Sequence, residues 1–195
     1  MNNTNKIPDF SAMGVDLLKD AARYAGSESV KFFKESFVNE GFTDHSFQEW
    51  KKTSNPMAGK RTMYKSGTLM QSIRKVEETI HRIVVNSDTD HSEIHNSGGT
   101  ITVTAQMKRF WWAKYYEFSG KLKSTTKGTM SRSQSNLKTN AKAEFCKRMA
   151  LMKVGTKITI PKRQFMGDSK VMMTGFDAWW KGQLEVSFKQ HLNNK

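Results

Sequence analysis

From about residue 10 to residue 40, apolar side chains recur every three to four positions. Leu17, Leu18, Ala21, Ala22 and Ala25 begin the stripe, and Val30, Phe33 and Phe37 continue it. That period predicts a long amphipathic helix. Asp9 or Ser11 is placed to cap its start and Gly41 to stop it, while Gly26 and Ser27 are placed to kink or break it. The next stretch, TDHSFQEWKKTSNPMAGKRTMYKSG, is dense in turn formers and reads as a long ordered loop pinned by Phe47 and Trp50. The helical period resumes over 66–75, with Ser66 as N-cap and Leu69, Met70 and Ile73 as the apolar face. Val76, Ile80, Ile83 and Val85 then favour a strand over about 79–86.

The segment ITVT at 101–104 predicts a second strand, and the long connection between the two predicts a helical turn. QMKRFWWAKYYEF fits a helix or a strand. Alternation in KVGTKITIP, 153–161, predicts a strand with Gly155 at a turn or bulge. A final helix is predicted after Asp168 or Ser169 as cap, with Phe176, Trp179, Trp180, Leu184 and Phe188 facing inward.

Composition changes this picture in two places. Mean hydropathy is low, −0.67, yet the 195 residues include 12 Phe, 5 Trp and 4 Tyr. Rings are therefore expected to supply much of the core of a single domain spanning 1–195. The net charge of +14 is concentrated: residues 106–165 hold 15 Lys/Arg against Glu117 and Glu144 alone. Such a block attracts polyanions or acidic protein surfaces, or is simply a solvated basic segment. Within it, residues 119–140 contain nine Ser/Thr, five Lys/Arg and no acid. They read as a flexible basic insertion, too polar to offset its own ordering entropy.

Candidate chemistry is sparse. IHNSGG, 94–99, has neither the P-loop spacing nor the strand–Gly-x-Gly-x-x-Gly–helix order of a dinucleotide loop, so no cofactor is expected. Gly98-Gly99 instead fits a turn that requires positive φ. His91 and His95, with Asp88 or Asp90, form a loose metal-ligand pattern whose Glu is misplaced for a zinc protease. The ordinary reading is polar residues on an exposed connection. Cys146 is the single cysteine, which excludes an intramolecular disulfide and a Cys-rich zinc site and suits a reducing cytoplasm. Lys147 and Arg148 beside it are placed to activate the thiol, although a partly buried cysteine is the default. No acid/base pair or serine elbow stands out, so an enzyme has little support and no catalytic, cofactor or metal residue is assigned. No apolar run reaches the roughly 20 residues of a membrane span. The N-terminus also lacks a signal peptide's apolar core, so a soluble, unexported protein is expected. MKRFWWAKYYEF interleaves Lys108, Arg109 and Lys114 with six aromatics, a composition suited to nucleic acid or to a core element with solvated charges.

FFKESFVNEGF, Trp50, MYKSGTLMQSI, RIVVNS, IHNSGG, KRFWWA and IPKRQFMGDS follow one another along the chain. In that order they resemble the virion morphogenesis (tail-completion) proteins of Mu-like tailed phages, over roughly residues 30–190. The insertion at 119–140 departs from the family's compact pattern. The resemblance implies an α+β fold, mainly antiparallel sheet flanked by helices, similar to tail-terminator and neck subunits that often form rings. It implies a structural, non-enzymatic protein made in the host cytoplasm and built into the tail or head–tail joint. Its partners would be itself and tail, head or neck proteins. His95, Gly98 and Gly99 would then form a turn, Pro161 would end a strand, Arg163 would bridge polar groups, and Phe165 would anchor the C-terminal helix. Lys108, Arg109, Lys121, Lys123, Lys127, Arg132 and Lys138 would offer a surface to packaged DNA or to an acidic neighbour. The alternative is a DNA-binding protein that uses 106–165 as its main surface.

Overall fold

The computed structural model describes residues 10–193. The fold is α+β: a long N-terminal helix, a C-terminal helix, four shorter helices and six short strands among the described residues. The strands form three separate antiparallel pairs rather than one continuous sheet. The chain organises into two compact units. The first comprises residues 10–50, 66–92 and 164–193; the second comprises 51–65 and 93–163.

In the first unit, α1 (Phe10–Asn39) runs unbroken through Gly26 and Ser27. Gly26 does not kink the helix. It is buried beneath the side chains of Lys75 and Ile83, and a Cβ there would meet Lys75 Cδ at 2.5 Å. The first helical turn's cap, assigned above to Asp9, lies outside the described residues, and Ser11 is already helical. Glu40, not Gly41, takes the left-handed position after α1, with φ 54°. Gly41 instead opens β1 (Gly41–Thr43), which pairs with β2 (Phe47–Glu49). The expected loop thus begins as a hairpin. Phe47 does not pin it, being about half exposed, whereas Trp50 is buried and donates its indole N–H to Gln164 O at 2.7 Å.

The second predicted helix is only α2 (Thr68–Gln71). Ser66 is not its cap: left-handed Gly67 precedes it. Ile73 leaves the helix to start β3 (Ile73–Glu78), which pairs with β4 (Ile83–Ser87). Residues 79–82, expected within a strand, are the turn, where Thr79 N donates to Arg82 O. C-terminal α6 (Lys170–Asn193) starts after Ser169, whose Oγ accepts from Met172 N; Asp168 is not the cap. Asp44 further ties its start, accepting from Lys170 N and Val171 N. Tyr24 of α1 stacks on Trp179 of α6, centroids 4.2 Å apart. The core is aromatic: Phe37, Trp50 and Phe165 meet at 5.0–5.3 Å, with Phe33, Phe42, Leu69 and Ile73 also buried. Each such ring contributes about 1.5–3 kcal/mol of burial.

In the second unit, α3 (Ser92–Ser97) supplies the expected helical turn. β5 (Gly99–Thr102) pairs with β6 (Lys157–Ile160), the later strand, and not with β4. The aromatic run resolves as a helix, α4 (Ala105–Ser119), because Thr104 Oγ1 caps Met107 N at 3.1 Å. α4 packs along α5 (Gln134–Leu151), which Ser133 caps. Residues 119–140 are therefore not one loop, since Ser119 ends α4 and Gln134 begins α5. The connection between is framed by one buried side chain, Asn136. Its Oδ1 accepts from Lys123 N, and its Nδ2 donates to Lys123 O and Ser131 O at 2.6–3.1 Å.

Candidate functional site

The turn residues of the second unit have architectural geometry. Gly98 has φ +74°, and a Cβ there would stand 2.8 Å from Lys162 N, so both conformation and space require glycine. Gly99 opens β5 and lies against Ile94. His95 O accepts from Arg163 N at 2.8 Å, and Arg163 Nε donates to Lys51 O at 2.9 Å. Arg163 thus joins α3 to the loop 51–65. It is buried, and that desolvation lowers its pKa from the ordinary guanidinium value. Pro161 follows the last residue of β6. Phe165 belongs to the first unit, fully buried against Phe37.

The loose metal pattern does not converge. His91 precedes α3 while His95 lies within it, and Asp88 pairs with Arg74 at 3.0 Å. No group of three or more His, Cys, Asp or Glu side chains is arranged to hold a metal among the described residues. Cys146 is not an activated thiol. It is fully buried, its Sγ contacts Met57 Sδ at 3.7 Å, and burial pushes its pKa up, outweighing the pull of Lys114.

The second unit concentrates charge more sharply than the linear block. Its segments, 51–65 and 93–163, hold 20 Lys/Arg and 3 Asp/Glu, a balance of +17. The described segments of the first unit hold 10 Lys/Arg and 14 Asp/Glu, a balance of −4. Arg109, Lys121, Lys123, Lys127, Arg132 and Lys138 are exposed, and Lys108 is half-buried. All seven lie in this unit, on α4, on the connection and on α5.

A cleft of about 400 Å³ opens in the same unit between α4, α5 and the loop 51–65. Phe110, Trp111, Lys114 and Phe118 of α4 lie along one side of the helix, at the i, i+1, i+4 and i+8 spacing of a single stripe. Lys142 of α5 and Lys65 of the loop also line it, over Met57 and Ala58, and no carboxylate does. Phe110 is half exposed, while Trp111 is braced edge-on by Phe145 at 5.7 Å. Lys121 and Lys142 each place Nζ 5.8 Å from the Phe118 ring. Glu117 accepts hydrogen bonds from Lys114 and Lys121, both at 2.8 Å, and these hold its carboxyl down at about 2. The other aromatic stripe of α4, Trp112, Tyr115 and Tyr116, forms its own cluster at 5.3–5.9 Å.

The sequence reading of the exposed basic surface omitted Lys65 and Lys142. Lys65 precedes α4 by about forty residues, and only the fold brings it to the cleft. A helical-wheel reading of α4, paired with Lys142 on the next helix, would have flagged the remainder. No helix among the described residues is long and apolar enough to cross a membrane. The chain matches no family model, no curated protein and no solved structure.

Proposed function

We propose that this chain is a structural protein of phage virion assembly, acting in tail completion or head–tail joining through self-association and contacts with tail and neck proteins. It would act in the host cytoplasm during assembly and then within the virion. The ordered motifs motivate the reading, and the geometry of Gly98, Arg163 and Phe165 supports architectural roles for them.

One observation carries it. No described side chain of α6 is fully buried, although apolar residues extend well beyond one face and leave Lys170, Thr174, Asp177, Lys181 and Glu185 as the polar side. Phe176, Trp179, Trp180 and Leu184 form a half-buried stripe, from which Phe176 and Trp179 meet Tyr24 of α1. Val171 and Val186 lie beside this stripe, both 46% exposed, and Met173 is 53% exposed, while Phe188 meets Phe10 of α1 at 6.3 Å and is still 43% exposed. A helix apolar beyond its packed stripe needs further cover, and a second copy or a tail component provides it.

Imaging particles from phage-producing cells that lack this protein tests the role. Tails of uncontrolled length, or full heads beside unattached tails, are the expected results. Normal infectious particles would contradict the proposal.

A further inference from the structure

We propose that the cleft on α4 binds unpaired bases of a single-stranded nucleic acid, a function beyond assembly that does not rest on the reading above. Phe110, Trp111 and Phe118 provide ring surfaces along two turns of one helix, about 12 Å by the rise of 1.5 Å per residue. Lys65, Lys114 and Lys142 surround them from three different elements. Rings that stack bases, set among cations that hold phosphates, form the arrangement that grips a single strand without reading its sequence.

Charge identifies the occupant as a polyanion. The unit's balance is +17, and no acid lines the cleft. Shape and ring exposure favour unpaired bases over a duplex. About 400 Å³ is the volume of a small-molecule pocket, which admits a base but not a paired helix. A duplex also keeps its base faces stacked inside, where Phe110 cannot reach them. An acidic peptide would use the lysines, but it offers nothing flat to three rings. Glu117 marks the cleft's edge: it holds Lys114 and Lys121 in place without lining the space itself.

The test is fluorescence anisotropy of the full chain with a labelled oligothymidylate of about 16 nucleotides, at several salt concentrations. A hairpin duplex and polyglutamate of matched charge serve as competitors. The single strand should bind at least roughly tenfold more tightly than either competitor. Phe110→Leu should weaken it by roughly five- to a hundredfold, and Phe110→Tyr should retain it. Phe110 is half exposed, so neither change should move the melting temperature. Lys142→Gln and Lys65→Gln should each flatten the salt dependence of log K by about 0.7, the slope of one phosphate left without its cation. Equal affinity for the duplex, displacement by polyglutamate, or an unchanged affinity in Phe110→Leu would each overturn the proposal. The imaging of phage particles reads none of these quantities, so the two proposals fail separately.

Discussion

The two units are both rich in aromatic residues and use them in opposite ways. All five buried rings, Phe33, Phe37, Phe42, Trp50 and Phe165, lie in the first unit. The second unit has eight aromatic residues and buries none of them fully; its buried apolar side chains are Val103, Ala143, Cys146 and Ala150. Charge follows the same division, with balances of −4 and +17 over the described residues. The rings of α4 are spread around the helix and interleaved with Lys108, Arg109, Lys114 and Glu117, which must stay solvated. One packing partner, α5, cannot cover them all. Aromatic content therefore builds a buried core in the first unit, beside the exposed Phe10, Phe47 and Phe188, and stays at the surface throughout the second.

Core substitutions separate the two units by the largest margin. Phe37→Ala and Phe165→Ala should each cost about 3–5 kcal/mol of stability in urea unfolding, because each leaves a cavity. Tyr116→Ala, at a ring 66% exposed, should cost no more than about 0.5 kcal/mol. Similar losses in the two units would end the distinction. Removing the guanidinium with Arg163→Met should cost about 1.5–3 kcal/mol, since Lys51 O loses a charged donor within the second unit. Gly98→Ala should cost at least about 1–2 kcal/mol from its left-handed φ alone.

The smallest effect is a pH dependence. Glu117's carboxyl titrates lower when folded, about 2, than its ordinary 4.5. A depressed carboxyl contributes stability that is present above the unfolded pKa and is lost as pH falls through the folded pKa. Its contribution should fade between about 4.5 and 2 and be absent in Glu117→Gln. NMR titration of the Glu117 carboxyl checks this, and a midpoint near 4.5 would show that the two lysines do not hold it.

Much of the first unit was legible in the linear pattern. The 3.6-residue stripe of α1, apart from Leu18, which is 40% exposed, and the cap and stripe of α6 needed no tertiary information; Phe188 meets Phe10 of α1 at 6.3 Å though it stays 43% exposed. The start of β3 was hidden because Ile73 stands at helical spacing from Leu69 and Met70, although it already belongs to the strand. Glu40 took the left-handed position that glycine was expected to fill. The turn at Gly98 was legible because positive φ and a crowded backbone leave glycine alone. The cleft was only half legible. Its α4 stripe is written at helical spacing, but Lys65 and Met57 arrive by a fold-level approach that no local pattern encodes.

If neighbours complete this chain, as proposed, its mass in solution will reveal them. Light scattering across micromolar concentrations should give multiples of the 22.3 kDa chain. Val171→Asp with Val186→Lys should return a monomer that keeps its helical content by circular dichroism, since both side chains are about half exposed. A wild-type chain that stays at 22.3 kDa throughout, or an oligomer indifferent to both changes, would contradict the account.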